Sequence, residues 1–360
     1  MVHLRIVVTS ARAERALALL DANVSVCNVV VLAGAARRPK GDLILCDVAR
    51  EDASVVIADL RDMGVDRDGS ISLETIDTQL SAFGMRAVRA ARGAPSDAVI
   101  WEEVEEQTSE SATLSFSFLA FMVLAALIAA VGIYLDSAIL IVGAMVVGPE
   151  FGPIAGFCVA VVQPPRSLAL RSFVALVVGF PLAIGAVAVA SLVFQATGVT
   201  PEQFSLDDHS LAKVIASPDF FAFFVALCAG AAGMLSLSTA KSGALIGVLI
   251  SVTTIPAAAN VGISAAYGDW SAFQGSLGQL GVNLAGILVA GSLTLAMQRA
   301  LYERRRRRHL RGLAQAKDAT AAAGMGSRPS VSGRGAGAKP RSASEESQDA
   351  AARDTSRVQR

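Results

Sequence analysis

The sequence has 360 residues, of which 53% are hydrophobic and 17% are charged. Soluble globular domains carry about 25% charged residues, so this composition excludes an ordinary soluble domain and favours a membrane protein with soluble segments. The formal net charge is zero, which hides strong local asymmetry along the chain.

Residues 1–92 are predicted to form a small α+β domain. The order of predicted elements is β-α-β-β-α-β, that of a ferredoxin-like split βαβ unit. Its strands are expected at 2–8, 24–32, 42–48 and 69–76, with a basic turn at 33–41 and helices at 11–21 and 51–63. No signal peptide is recognised ahead of it, so we expect a cytoplasmic location. Fold alone leaves a ligand-binding role and an assembly role open.

Residues 93–113 are predicted to form an acidic juxtamembrane linker helix. They contain the stretch DAVIWEEVEEQTSE, with a single tryptophan at Trp101. Trp101 either belongs to this connection or contacts the bilayer surface, where tryptophan is enriched. The surrounding glutamates disfavour contact with an anionic leaflet.

Six apolar segments between residues 114 and 300 approach or exceed the roughly 20 residues that cross a bilayer as a helix. They lie at 114–134, 137–162, 172–196, 219–239, 243–266 and 276–299. With a cytoplasmic N-terminus, the inside loops hold most of the basic residues, namely Arg166, Arg171, Lys241 and the run Arg304–Arg308. This agrees with the positive-inside rule. We therefore predict an α-helical polytopic protein of the cytoplasmic membrane with both termini cytoplasmic.

Residues 301–360 are predicted to be a basic juxtamembrane segment and a tail. The run Arg304–Arg308 is expected to anchor the last helix at the membrane surface, with contact to anionic lipid as the alternative. From about residue 313 the chain has few residues that could build a core, which predicts disorder.

The second span is interrupted at its centre by GPEFGP, residues 148–153. Proline removes a helical hydrogen bond, and in hydrocarbon the freed carbonyl groups must be satisfied by protein or by a wet cavity. A carboxyl group at this depth is costly and normally faces a bundle interior or an aqueous path. We therefore predict a polar site in the membrane, with Glu150 as its ionisable group. The predicted helix breakers are Gly148, Pro149, Gly152 and Pro153.

The fifth span resembles the second in having a central proline, Pro256, with Thr253, Thr254 and Asn260 around it. Span starts near 219, 243 and 276 repeat the spacing of those near 114, 137 and 172. Three spans per half would make the second half inverted, as in many secondary transporters whose site lies between matching broken helices. We predict such a 3+3 inverted repeat, with Thr253, Thr254 and Asn260 as polar ligands.

Other intramembrane features have simpler explanations. Gly148, Gly152 and Gly156 form a small-residue ridge that favours close helix packing and homo-oligomers, as does the pair Gly243 and Gly247. Pro181 is expected to be only a kink, and Asn283 is expected to make an interhelical hydrogen bond.

The sequence offers no catalytic, cofactor or metal motif. The three histidines lie outside the spans, and the four cysteines have neither paired spacing nor neighbouring histidines. No phosphate-binding or dinucleotide-binding glycine pattern is present. We expect no enzyme activity, no cofactor and no nucleic-acid partner.

Two stretches carry a family resemblance: AVIWEEVEEQ…LDSAILIVGAMVVGPEFGPIAG and STAKSGALIGVLISVTTIPAAANVG. Over about residues 98–300 the chain resembles the bacterial "uncharacterised hydrophobic domain" family, membrane proteins of unknown function. The pattern GAM…GP..GPI is the most specific part, and Gly148 and Glu150 depart from the residues that other members carry there. The resemblance implies a membrane location and no particular activity.

Two hypotheses of function follow. The first is a transporter or channel-like protein for a small solute or ion, with its site between residues 148–153 and 253–260. The second is a membrane-bound sensor or scaffold whose N-terminal domain binds a ligand or partner. It predicts that residues 1–92 alone bind a metabolite or dimerise.

Overall fold

A computed structural model describes most of the chain. The described residues are 1–76, 78–91, 98–163, 166–200, 209–239 and 253–326. The chain divides into two units, Met1–Arg306 and Arg307–Arg360. The features discussed below lie in the first unit unless stated otherwise.

The N-terminal part contains a four-stranded sheet in the order β2-β3-β1-β4, with every neighbouring pair antiparallel. Its strands are β1 (Val2–Val8), β2 (Val26–Arg37), β3 (Lys40–Val48) and β4 (Ser70–Thr75). Strand β3 lies between β1 and β2, as in a split βαβ unit. Strands β2 and β3 run on to pair Arg37 with Lys40. The long turn predicted at 33–41 is therefore wrong, because cross-strand pairing continues almost to the chain reversal.

One face of this sheet is covered by helices α1 (Ser10–Asp21) and α2 (Arg50–Asp62). Alternate residues of β1 are buried against them because side chains of a strand point to opposite faces in turn. The short helix α3 (Val65–Asp68) leads into β4, and α4 (Ala82–Ala90) follows it. The buried core of the sheet also includes Ile100, which precedes the linker helix.

The linker helix is α5 (Trp101–Ser111). Trp101 is only 2% exposed. Its ring lies 6.4 Å from that of Tyr302, and the Arg299 guanidinium lies 5.3 Å from the tryptophan ring centroid. The alternative that Trp101 contacts the bilayer surface is therefore wrong, because protein side chains enclose its ring.

The remaining helices are mostly apolar. They are α6 (Phe116–Tyr134), α7 (Ala138–Val147), α8 (Phe151–Val162), α9 (Arg166–Ala196), α10 (Ser210–Ile215), α11 (Phe220–Ser238), α12 (Thr254–Tyr267) and α13 (Trp270–Gly326). Helix α9 contains Pro181 and continues on both sides of it. The kink predicted there does not end the helix.

By length and composition, four helices in the described residues could cross a membrane: α6, α9, α11 and α13. Helices α7 and α8 form a bent pair, with 51° between them, that counts as a fifth if it is one span. Residues 243–252 of the fifth predicted span lie outside the described residues, and α12 has 14 residues. Six spans and the inverted repeat therefore stay predictions.

The end of α13 within the first unit contacts α2 of the N-terminal part. Arg305 Nη1 donates a 2.6 Å hydrogen bond to the Glu51 carbonyl, and Arg306 Nη2 lies 2.6 Å from Asp62 Oδ2. Two arginines of the predicted basic run thus contact protein. In the second unit, α13 continues to Gly326. The disorder predicted from about residue 313 stays a prediction.

Candidate functional site

The break in the second predicted span lies at residues 148–150, between α7 and α8. Gly148 is extended, the conformation that a following proline favours, and Pro149 has no backbone N–H with which to continue α7. Gly152 and Pro153 already belong to the first turn of α8, where helical N–H groups lack intrahelical partners in any case. Of the four predicted breakers in this span, only Gly148 and Pro149 lie within the break.

Glu150 is the buried acid at the break, with 4% of its surface exposed. Its Oε1 accepts a hydrogen bond of 2.7 Å from Thr254 Oγ1. Its Oε2 is buried without a hydrogen-bond partner among the described residues. A Cβ atom added to Gly148 would collide with the Glu150 carboxyl group and with Ile255. Because residue 148 is a glycine, the Glu150 carboxyl group can pack against the backbone of residue 148.

Thr253 and Thr254 stand at the start of α12 and have different partners. Thr254 binds Glu150, whereas Thr253 Oγ1 accepts a hydrogen bond of 2.8 Å from Asn283 Nδ2. Pro256 is the third residue of α12, as Pro153 is of α8. Pro256 therefore lies in a first helical turn and does not interrupt the described helix.

A buried polar face runs along α13. Its residues Ser276, Gln279 and Asn283 are spaced by three and four positions, which places them on one side of the helix. Gln279 Nε2 donates a hydrogen bond of 3.2 Å to Asn283 Oδ1. The interhelical hydrogen bond predicted for Asn283 is confirmed. Ser276 and Gln279 were missed, although their helical spacing to Asn283 was readable in the sequence.

Asn260 makes its hydrogen bonds to residues other than Glu150. Its Nδ2 donates to Ser276 Oγ at 2.8 Å and to the Ala212 carbonyl at 3.4 Å. The four predicted ligands therefore divide among three contacts: Glu150 with Thr254, Thr253 with Asn283, and Asn260 with Ser276.

The glycine ridge packs closely against other helices, as predicted for Gly152 and Gly156. A Cβ at Gly152 would lie 2.7 Å from Ser111 Cβ, and one at Gly156 would lie 2.7 Å from Ser172 Oγ. Helix α5 thus ends directly against the first turn of α8. The second predicted pair, Gly243 and Gly247, lies outside the described residues.

Two cavities adjoin this region. One, of about 400 Å³, is lined by Gly148, Pro149 and Gly152 of the break together with Ser111 and Phe118. The other, of about 520 Å³, is lined by Thr253, Gln279 and Asn283 together with residues of α10 and α11.

These cavities lie toward opposite ends of α6. Phe118, which lines the first, belongs to the first turn of α6. Asp136 follows the other end of α6 and accepts hydrogen bonds from Ser210 Oγ at 2.8 Å and the Leu211 N–H at 3.0 Å. These two donors start α10, whose residues line the second cavity. The break thus borders the first cavity through Gly148 and Pro149, and the start of α12 borders the second through Thr253.

Nothing in the described part of the chain forms a metal centre: no three His, Cys, Asp or Glu side chains there are close enough to share an ion.

Comparison with known proteins gives a family of unknown function. Residues 145–289 match the family described as "Domain of unknown function (DUF389)". An uncharacterized protein of Methanocaldococcus jannaschii is 29% identical over 165 residues, which cover 46% of this chain and 49% of that protein. The chain thus matches about half the length of this curated relative. No solved structure matches the chain. The matched family region contains Glu150, Thr253 and the polar face of α13.

Proposed function

We propose that the chain is a membrane transporter or channel-like protein for a small solute or ion, with its path through the break at residues 148–150. The contact between Glu150 and Thr254 carries this proposal. A carboxyl group buried in a membrane protein is costly. Glu150 is held by one hydroxyl group, with its second oxygen unbonded among the described residues. Packing alone does not need such a group, whereas binding a cation or exchanging a proton does.

The two cavities support a path. Gly148 and Pro149, next to Glu150, line one cavity, and Thr253, next to Thr254, lines the other; the two cavities lie toward opposite ends of α6. A transporter requires a site that can be reached from each side in turn. Thr253 and Thr254 are adjacent in the chain, so one short segment borders both the second cavity and the buried acid.

The proposal includes six spans, a 3+3 inverted repeat and both termini on the cytoplasmic side of a bacterial membrane. The matching positions of Pro153 and Pro256 in the first turns of α8 and α12 support the repeat. The distribution of basic residues between the predicted loops supports the orientation. The proposal also includes a homo-oligomer, no enzyme activity, no cofactor and no nucleic-acid partner.

Flux through the reconstituted full chain tests this function. Liposomes containing the protein should take up protons, Na⁺, K⁺ or one of a panel of amino and organic acids, with a rate that depends on pH. Glu150→Gln should abolish the flux or remove its pH dependence, whereas Glu14→Gln, at an exposed position of α1, should change neither. Unchanged flux and pH dependence in Glu150→Gln would remove Glu150 from the mechanism. No flux with any probe would count against transport.

A sensor or scaffold is the second candidate, and one observation favours it. A cavity of about 820 Å³ lies between β4 and α5, where Ser70, Leu73, Glu102 and Glu106 are among its lining residues. A ligand there would contact α5, whose last residue packs against Gly152. Binding of a metabolite to the full chain that survives Glu150→Gln and is lost in Glu106→Gln would favour this function.

A further inference from the structure

The two edges of the N-terminal sheet carry opposite charge. Strands β2 and β4 are its edge strands, because each pairs with one neighbour in the described sheet. The reversal from β2 to β3 carries Arg37, Arg38 and Lys40, all exposed. They are the only charged residues between Asp21 and Asp42. The end of this β2–β3 hairpin, residues 30–41, is therefore a basic projection at one edge, called the basic hairpin below.

The basic hairpin also exposes apolar side chains. Val30, Val31 and Leu32 of β2 are between 43% and 47% exposed. Val31 pairs with Ile44, whose side chain is fully buried on the helix-covered face, so the helices do not extend over this edge. Because neighbouring residues of a strand point to opposite faces, β2 is exposed on both faces. An edge strand with exposed apolar side chains is a place where another chain can pair.

The opposite edge borders the cavity of about 820 Å³, called the acidic groove below. Five of its lining residues are acidic and only Arg61 is basic. Glu106 and Glu110 are exposed and form no ion pair with any described residue. The part of its wall on α5 comes from residues on one side of the helix, spaced by three and four positions: Glu103, Glu106, Gln107 and Glu110.

We infer that the basic hairpin of one copy of this chain binds in the acidic groove of a second copy. Contact of hairpin with hairpin, or of groove with groove, would set like charges against each other. Contact of hairpin with groove instead brings three basic side chains to carboxylates that lack an ion pair, which gives electrostatic complementarity. The apolar parts match too, since Leu73 of β4 lines the groove and is 36% exposed.

This contact is heterologous, because each copy offers one surface to one neighbour and a different surface to the next. Heterologous contacts form rings when the rotation closes and filaments when it does not. Copies that lie in one membrane share an orientation, so the rotation axis is the membrane normal and a closed ring results. The ring rests on the proposed function, which places every copy in one membrane. The groove then holds a protein neighbour, whereas the sensor candidate would place a metabolite there.

Charge reversal in the purified full chain tests the contact. By light scattering in detergent, the wild type should be an oligomer. Reversal of the three basic residues of the hairpin to glutamate should reduce its mass to that of one protomer, and Glu106→Lys with Glu110→Lys should do the same. A chain with all five reversals should assemble again, because its hairpin and groove are complementary once more. Glu14→Lys and Arg15→Glu, at exposed positions of α1, are the controls and should leave the mass unchanged.

Carbodiimide coupling in liposomes locates the contact without charge reversal. The reagent joins an amine directly to a carboxyl group when the two are in contact. A covalent dimer should appear on a denaturing gel, and mass spectrometry should find Lys40 linked to Glu106 or Glu110. Lys40→Arg keeps the charge and removes the amine, so this link should be lost while the mass in detergent stays that of the wild type.

A monomeric wild type, or a mass that neither reversed variant changes, would overturn the inference. If the chain with all five reversals does not reassemble and no link to Lys40 is found, the hairpin has another partner, such as anionic lipid, and the inference is overturned as well. Assembly is measured without flux. A chain that assembles as stated and carries no solute would contradict transport alone, and flux from a monomer would contradict this contact alone.

Discussion

Thr254 Oγ1 donates a hydrogen bond of 2.7 Å to Glu150 Oε1, and both side chains are buried. The contact joins the break between α7 and α8 to the first residue of α12, 104 positions later in the chain. Thr254 therefore holds the only acid buried in the described part of the apolar helices. The proposed transport function depends on this hydrogen bond between Thr254 and Glu150.

Removal of the Thr254 hydroxyl should destabilise the protein and change flux. Thr254→Val keeps the shape and leaves Glu150 without that donor, at an expected loss of about 1–3 kcal/mol in the free energy of unfolding. Thr254→Ser keeps the hydroxyl group and should lie close to wild type. Thermal unfolding in detergent and liposome flux measure the two effects. Valine and serine variants of equal stability and flux would show that the bond has no role.

Gly152→Ala should loosen the contact between α5 and α8. The added Cβ would lie 2.7 Å from Ser111 Cβ and 3.0 Å from the Ser111 carbonyl oxygen, and overpacking of this kind costs about 1–3 kcal/mol. Gly143→Ala, in α7 of the same broken pair, meets nothing within 4 Å and serves as control. Helix propensity favours alanine there by up to about 1 kcal/mol. In thermal unfolding, Gly152→Ala should lower the melting temperature and Gly143→Ala should raise it. Equal changes in melting temperature would contradict the close packing at Gly152.

Asp136 should make stability depend on pH. The Leu211 N–H and, second, the Ser210 hydroxyl group hold the pKa of Asp136 below its ordinary value. Because the folded pKa is lowered, the stabilisation is fully present above the unfolded pKa, about 3.9, and is lost as the pH falls through the folded pKa. Asp136→Asn keeps an acceptor, tolerates the φ of 47° at this position and cannot titrate.

The difference in melting temperature between wild type and Asp136→Asn should therefore be constant above about pH 5 and shrink on acidification below about pH 4. A difference that stays constant through the acidic range would show that Asp136 gains nothing from its two donors.

The two tryptophans should respond differently to quenchers. Trp101 is 2% exposed, whereas Trp270 is 65% exposed at the start of α13. In Trp270→Phe, the remaining fluorescence of Trp101 should resist both iodide in water and brominated lipid in the bilayer. In Trp101→Phe, the fluorescence of Trp270 should be quenched by at least one of them. Quenching of Trp101 by brominated lipid would show that Trp101 contacts the membrane surface and is not enclosed by protein.

Local patterns predicted several elements well. The strands β1 and β4 and helices α1 and α2 follow from β-branched runs and apolar periodicity, which are properties of neighbouring residues. The break at Gly148–Glu150 was predictable from the chain itself, since two Gly-Pro pairs enclose a carboxyl group there, whereas the single Pro181 leaves α9 continuous. The extension of β2 to Arg37 was not, because it depends on pairing with β3.

The candidate site was predicted as a set of residues and not as a set of contacts. Glu150, Thr253, Thr254 and Asn260 were each singled out because polar groups in apolar helices are costly. Which of them meet depends on how α8, α12 and α13 pack, and Asn260 proved to contact Ser276. Gln279 was missed although its helical spacing to Asn283 was readable in the sequence, because its burial depends on how α13 packs.

By itself the sequence determined the apolar helices, the N-terminal strands and the interruption at Pro149, because these follow from composition, periodicity and the missing N–H of proline. Only the tertiary structure decided that Thr254 holds Glu150, that Trp101 is enclosed by Arg299 and Tyr302, and that Gln279 is buried beside Asn283. Such contacts join residues far apart in the chain. Their partners are selected by the packing of whole helices and cannot be read from local sequence.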